Sequence, residues 1–543
     1  MGRPFHALRS GPQRAYEAIV IGAGIGGLVC ANLLARQGLD VLLIEQHHMV
    51  GGYCSMFRRK GYTFDAATHF YPLLGNLQTM TGKLLRDLGI TTGWIKMDPV
   101  DQFHFPDGSH FAVPADFDSY LEQLKVAFPD EALALDEFFA AVRRAYMLGL
   151  LSYFRGRDTG QFAAYRDLTV QQMLDRHFRH RKLKLLLTAD CPHWGSPPSR
   201  TSFVFDSMLR LSYFLGNYYP RGGSQAFADE LAQRFTEQGG HILMHSLVRR
   251  ILVQHDTAYG VEVEIGRGRT RRIEQVYADY VVSNSDLVRT LEQMVGPEHL
   301  EAEYLAQLRT WRPTYPCFLT HIGLQDMPTE VLRRVHGYYW DSWDTALVGR
   351  NGLRFKIFVP TLYEPALARH GGHIVIIQKV LDIDYDAIDD WGTHKATVEH
   401  DIMAHLEQML PGFSDKVVVK LSASALTSYR YTLNYRGAML GWEMSPEQLG
   451  SHRFDVVGPI ERLYFVGHWV QPGGGITPVI VSAMKVAHLI TQGNGQYRAG
   501  CHSASDMASH ATVATAHASL VHPLAGRNGG QGACVGGTRS WPE

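Results

Sequence analysis

Two glycine-rich loops and the residues around them carry the clearest chemistry in this chain. Gly22-Ala23-Gly24-Ile25-Gly26-Gly27 follows the apolar run Ala18-Ile19-Val20-Ile21 at once. Leu28, Ala31, Leu34 and Ala35 then recur at helical spacing, with Gly38 as the expected stop. Val41-Leu42-Leu43-Ile44 reads as a second strand ending on Glu45. Strand, glycine turn, helix, strand and acid in this order make a dinucleotide-binding pattern. Gly22 permits the tight turn, Gly24 lets backbone approach a pyrophosphate, and Gly27 lets helix and strand pack closely. The diphosphate would rest on the positive helix N-terminus. Glu45 is placed for ribose hydroxyls and would repel a 2′-phosphate, which disfavours NADP. Near the other end, Leu463-Tyr464-Phe465-Val466-Gly467-His468 leads into Pro472-Gly473-Gly474-Gly475-Ile476-Thr477 and a small-residue helix around Val481-Ser482-Ala483. That loop again aims backbone donors at an anion or a flavin edge. A dehydrogenase binding NAD alone has no use for it, so the pair of loops points to FAD.

These loops need a large α/β frame. The chain has 543 residues, beyond the roughly 250–300 at which one core stops growing, so two or more domains are expected. Its 19% charged residues fall below the usual share and suit a globular enzyme with much internal surface. A formal charge of -1 gathers no nucleic acid. Six scattered cysteines show no CxxC or zinc spacing, which predicts a reducing compartment and no metal. No apolar run approaches the roughly 18–20 residues of a membrane span, and the first apolar stretch is too short for a secretory signal. A cytoplasmic protein is expected, soluble or peripheral on the inner membrane face. Residues 102–105 and 111–113 read as strands around the Pro106-Asp107-Gly108 turn, and 120–153 as helices. Trp340, Trp343 and residues 355–360 suggest more sheet. Residues 494–543 are poor in large apolar side chains and predict a disordered tail.

The segment after Glu45 resembles the extension of two-dinucleotide-domain flavoproteins, whose paired glycines (Gly51 and Gly52 here) present N–H groups to the FAD pyrophosphate. Further along, Tyr219-Pro220-Arg221-Gly222-Gly223-Ser224, residues 241–251, Ala278-Asp279-Tyr280-Val281-Val282-Ser283-Asn284, residues 436–442 and residues 467–482 resemble elements of the carotenoid desaturase and isomerase family, with retinol saturase as a relative. The likeness spans about residues 16–492. It implies a Rossmann-like FAD domain of three pieces, 15–100, 216–300 and 455–493. A mixed α+β substrate domain would take 101–215 and 301–454. It also implies that Val248 contacts adenine, and that the substrate is a long apolar polyene, carotenoid- or retinoid-like. The chain departs from the desaturases at Tyr53-Cys54-Ser55, where they usually place Arg, while residues 472–476 look like bacterial desaturases. Desaturation, saturation and cis–trans isomerisation all stay open.

A flavin supplies the hard chemistry in such enzymes, and the protein orients and tunes it. Three residues are candidates for that work: His69, as a proton shuttle near neutral pH; His468, where the second glycine loop meets the flavin; and Arg221, as a stabiliser of negative charge at the flavin or a residue that closes the substrate entry. Two basic–apolar segments, Arg143, Arg144, Arg155 and Arg157 around residues 146–154 and then residues 179–187, suit contact with an anionic membrane surface. Two other functions compete with the polyene enzyme: an amine-oxidase-like flavoenzyme with a smaller substrate, and a non-catalytic lipid escort of related fold.

Overall fold

The computed structural model describes residues 3–8, 11–155, 161–266, 268 and 271–493; the tail from 494 onward, expected to be disordered, lies outside them. The strand Ala15–Ile21 is buried throughout residues 18–21, and Val41–Ile44 is buried at every position. Runs with no polar alternation need cover on both faces of a sheet. Here they pair in parallel, Ala18 opposite Val41 and Ile21 opposite Ile44. The helix Ile25–Arg36 buries Leu28, Val29, Ala31 and Leu34 on this sheet, with Ile476–Gly493 and Ser224–Glu237 packed alongside. The helix ends at Arg36, and the left-handed Gly38 (φ 86°) follows its cap Gln37.

The long strand Arg272–Ser283 organises the site. Its first half pairs antiparallel with Thr257–Ile265, and its second half runs parallel to both Ala15–Ile21 and Leu463–Phe465. Ser283 stands opposite Ile21 on one side and Phe465 on the other. The carboxyl ends of three strands far apart in sequence therefore meet at one edge, where ligands bind in parallel sheets. Residues 241–254 form two strands, His241–Leu243 and Ser246–Gln254. His245 adopts φ 54° between them, turning the chain from the parallel core into an antiparallel meander.

A second seven-stranded sheet runs in the order Val417–Ala423, Cys317–Gln325, Gly372–Val380, Leu353–Phe358, Gly337–Trp340, Asp101–His104, His110–Val113. All its pairs are antiparallel except Gly337–Trp340 with Asp101–His104. The hairpin of Met56–Arg59 and Tyr62–Asp65 packs Met56, Tyr62 and Phe64 against Leu319, Phe358, Ile374 and Ile376 of that sheet. The helical region expected over 120–153 is two helices, Phe117–Ala127 and Ala132–Arg155, interrupted at Pro129, which has no N–H to give.

The two basic–apolar segments look different once folded. In the helix Arg181–Leu186, Leu183, Leu185 and Leu186 are buried, while Lys182 pairs with Asp107 at 2.9 Å and Lys184 with Asp175 at 2.6 Å. This segment thus has no apolar outer face, and Arg179, His180 and Arg181 alone stay exposed at its start. Arg143 lies 4.8 Å over the Phe117 ring and is half-buried, and Arg144 is exposed. The Arg155 side chain and Arg157 lie outside the described residues. Among the described residues, no helix is long and apolar enough to cross a membrane.

Candidate active site

One cavity of about 370 Å³ runs from the first glycine loop to the inner face of the second sheet. Its nucleotide end starts at Gly22, whose φ of 94° turns the chain off the first strand. A Cβ on Gly27 would sit 2.1 Å from the Gly22 carbonyl oxygen. Gly27 does not line the cavity; it lets the helix lie against the strand, and so lets the loop exist. Gly24 caps the helix Ile25–Arg36 without any side-chain partner, leaving its first N–H groups to a ligand. Gly51 lies against this loop, its N–H donating to the Ala23 carbonyl at 2.7 Å, and Gly52 follows it on the cavity wall.

Glu45 is buried. Its two oxygens accept N–H groups of Ala23 and His47, each at 2.8 Å. Burial raises its pKa, and these donors oppose the rise. A carboxylate offers about four lone-pair sites, so acceptor capacity remains for ribose hydroxyls. Val248, 2% exposed, lines the same end. At the opposite lip, a Cβ on Gly26 would come within 3.3 Å of the Gly467 nitrogen, which donates to the Ser482 hydroxyl at 2.9 Å. Gly474 and Ile476 line the cavity where the helix Ile476–Gly493 begins, and a Cβ on Gly474 would stand 2.5 Å from the Leu440 carbonyl oxygen. Two helix N-termini thus share one cavity, a favourable setting for an anionic diphosphate and an electron-rich flavin edge. This cradle, which side chains would fill, fits FAD.

His69 and His468 both line the cavity. The His69 Nδ1 is 2.9 Å from the Ala67 carbonyl oxygen. Gln378 Nε2 lies 3.2 Å from the same Nδ1, and the other ring nitrogen, Nε2, is buried and has no partner. Burial, aided by Lys356, lowers the His69 pKa to about 3. Burial thus favours the neutral imidazole of His69 near neutral pH. His468 is likewise brought down to about 3, by burial and by Arg453. Its Nε2 faces Asn434 Oδ1 at 3.4 Å, and the same oxygen accepts from Trp469 Nε1 at 3.1 Å. Asn434 also donates to the Tyr53 hydroxyl at 3.1 Å. Arg221 is placed differently. It is exposed, its N–H donates to the Gly93 carbonyl at 2.8 Å, its stem covers Gly93, and it is absent from the cavity wall. Held over Gly93 and away from the cavity wall, it does not face the cofactor cradle.

Several wall residues escaped the sequence reasoning. Asn284 donates to the Gly22 carbonyl at 3.2 Å and stands between Gly24, Gly26 and Gly467. A polar residue just past the carboxyl end of a parallel strand was the available signal. Lys356 is 1% exposed and pairs with Asp101 at 2.6 Å, its ammonium 3.9 Å over Phe70 and 4.3 Å over Tyr338. His193 bridges two hydroxyls, Tyr338 at 2.6 Å and Tyr213 at 3.0 Å. Nothing local in the sequence marks these.

A model of flavin containing amine oxidoreductases matches residues 25–320. Prolycopene isomerase of Daucus carota is 26% identical over 88% of this chain and 80% of its own. Phytoene desaturase (neurosporene-forming) of Cereibacter sphaeroides is 24% identical over 88% and 94%, and all-trans-retinol 13,14-reductase of Rattus norvegicus 25% over 83% and 82%. Among solved structures, an oxidoreductase from Methanosarcina mazei superposes with a TM-score of 0.61 at 18% identity, covering 87% of this chain and 99% of its own. Putrescine oxidase bound to putrescine gives 0.61 at 13%, over 89% and 100%; both share the fold. With more than half its length matched and an FAD cradle at the strand edge, the chain belongs to the flavin containing amine oxidoreductase family and is an FAD-dependent oxidoreductase.

Proposed function

We propose that this oxidoreductase acts on a long apolar polyene, by desaturation, saturation or cis–trans isomerisation. The observation that carries this is the wall beyond the nucleotide cradle. Phe70, Phe205, Leu209, Leu319, Val380 and Met439 line it, and among the described residues Glu45 is the sole carboxylate on the wall. An amine substrate is a cation and needs a carboxylate or an uncluttered aromatic cage. Here the aromatic rings already hold the Lys356 ammonium. The charge of the wall therefore favours a neutral hydrocarbon chain over the amine alternative, and the intact cradle disfavours a flavin-free escort. The relatives act, by their names, on prolycopene, phytoene and retinol.

Bound FAD supplies the two-electron chemistry. The chain's own residues orient and seal: the glycine loops fix the cofactor, and the apolar wall holds the polyene and excludes water. His468 is held by Asn434, and His69, with its unpartnered buried Nε2, lines the substrate end. The test is expression in cells that accumulate a colourless polyene precursor and its coloured products. A changed pigment or isomer profile supports the reading; an unchanged profile with flavin-loaded protein present overturns it.

The same chemistry supports docking of the enzyme at the inner, cytoplasmic face of a membrane. A polyene gains about 0.8 kcal/mol per CH₂ on leaving water, so it resides in lipid and is drawn from there. Exposed Val126 and Leu133 at the corner of the helices Phe117–Ala127 and Ala132–Arg155 support such docking. Arg179 and His180 lie beside them, their N–H groups both donating to Glu131 at 2.9 Å.

A further inference from the structure

Behind the second glycine loop lies a buried cation. Arg453 is 2% exposed and is absent from the cavity wall, whereas Gly467, His468, Trp469, Gly474 and Gly475 are on it. The loop therefore stands between the guanidinium and the cofactor cradle. The two are in close contact: a Cβ on Gly473 would come 3.8 Å from the guanidinium carbon. Arg453 Nη2 donates to the His468 carbonyl at 2.6 Å, and Nε donates to the Val470 carbonyl at 3.1 Å. Nη1 donates to the Gln448 and Glu443 carbonyls, at 3.2 and 3.4 Å. Gln471 returns a bond, its side-chain amide donating to the Arg453 carbonyl at 3.0 Å.

These bonds set the direction of the peptide groups in the loop. A trans peptide unit is planar, so its N–H points opposite to its carbonyl. The unit joining His468 to Trp469 is trans, and its carbonyl is turned toward Arg453. The Trp469 N–H accordingly points away from Arg453, on the side where both residues line the cavity, and it has no acceptor among the described residues. The Val470 carbonyl is turned the same way, but the Gln471 N–H of that unit is taken by the Phe454 carbonyl at 2.9 Å. Arg453 thus aims one backbone donor at the cavity and places a positive charge behind it.

Burying an ionised group is costly, and well-packed apolar residues would join these segments at less cost. The position of the charge points to a use. Reduction of a flavin adds two electrons and one proton, which leaves one negative charge on the ring system. Donors and cations already fixed in place favour that charged state without reorganising. Burial and Arg453 lower the His468 pKa to about 3, so His468 is neutral near pH 7 and the buried cation behind this loop is Arg453.

We propose that Arg453 is a positioning residue of the cofactor site, which turns the 468–470 loop so that its amide donor and its positive side face the flavin and stabilise the reduced form. This goes beyond the polyene reading and does not depend on which substrate the enzyme takes.

The test is the midpoint potential of the purified flavin-loaded protein, titrated anaerobically with dithionite against a reference dye. Arg453→Met removes both the charge and the four donated bonds. Reduction of the flavin that stays bound is expected to become at least about tenfold less favourable, a fall of about 30 mV for a two-electron couple. Arg453→Lys keeps the charge but, as a single ammonium, cannot hold the same set of carbonyls, so its potential should fall between those of Arg453→Met and the wild type. An arginine that merely ties segments together would lower the Tm and the flavin content of Arg453→Met and leave the potential of the bound flavin unchanged. An unchanged or raised potential in flavin-loaded Arg453→Met therefore overturns the proposal. Should Arg453→Met fail to retain flavin, Arg453→Lys decides: a potential about threefold less favourable to reduction supports the positioning role, and an unchanged one overturns it. Neither result touches the polyene reading, which the pigment profile tests separately.

Discussion

Replacing Glu45 by Ala separates what this residue does for the fold from what it does for the cofactor. The carboxylate accepts two backbone N–H groups at 2.8 Å and is 9% exposed. Hydrogen bonds to a charged acceptor contribute about 1.5–3 kcal/mol each, which gives roughly 3–6 kcal/mol for the pair. Burial opposes the charge and raises the pKa, so the lower end, about 3 kcal/mol, is expected. That is a large fraction of the roughly 5–15 kcal/mol that holds a domain together. Glu45→Gln keeps an acceptor for one N–H but turns its amide toward the other, and should cost about half as much. The assay pairs the flavin-to-protein ratio of purified variants with thermal unfolding in the presence and absence of added FAD. Glu45→Ala should lose flavin and unfold several degrees earlier, with Glu45→Gln between it and the wild type. Full flavin content with an unchanged Tm would refute the whole argument. A lowered Tm with undiminished FAD affinity would keep the structural role and remove the ribose contact.

Gly27→Ala puts a methyl group 2.1 Å from the Gly22 carbonyl oxygen. Backbone cannot yield cheaply there, so a loss of about 1–3 kcal/mol and of flavin is expected; unaltered flavin content would contradict it. His69, its pKa lowered to about 3, binds fewer protons folded than unfolded between pH 6.5 and 3. Stability should therefore fall as pH drops through this window, by up to about 1.4 kcal/mol per pH unit, and be unaffected above it. The difference in Tm between wild type and His69→Phe from pH 7.5 to 5.5 isolates this from Asp286, which burial pushes up to about 7 and which acts in the opposite direction; a difference that does not change with pH refutes it. Flotation with anionic liposomes should carry the protein upward at low salt, and Val126→Asp with Leu133→Asp should abolish this. Wild-type protein remaining with the soluble fraction would count against membrane docking.

The nucleotide half of the site was legible in the sequence because its physics is local. A left-handed turn, an uncapped helix start and an acid at the end of the next strand are all specified within about thirty residues, and Gly22, Gly24, Gly27 and Glu45 take the positions their types require. The second loop was legible for the same reason. That Gly467 comes to rest beside Gly26 was not. It follows from Leu463–Phe465 pairing in parallel with Arg272–Ser283, a contact between strands far apart in the chain.

The substrate half was decided by tertiary structure. In Leu353–Phe358, alternation would put Arg354 and Lys356 together on a solvent face. Both faces of that strand are covered, and Lys356 instead meets Asp101 from 255 positions earlier. Arg221 shows the converse: its neighbours Gly222 and Gly223 suggested a place at the cofactor, but the pairing of Trp94–Lys96 with Tyr218–Pro220 turns it to solvent over Gly93. His69 was visible as a residue, but not as a base held neutral. Residue type fixes which groups can titrate; burial and neighbours brought from other strands decide whether they do.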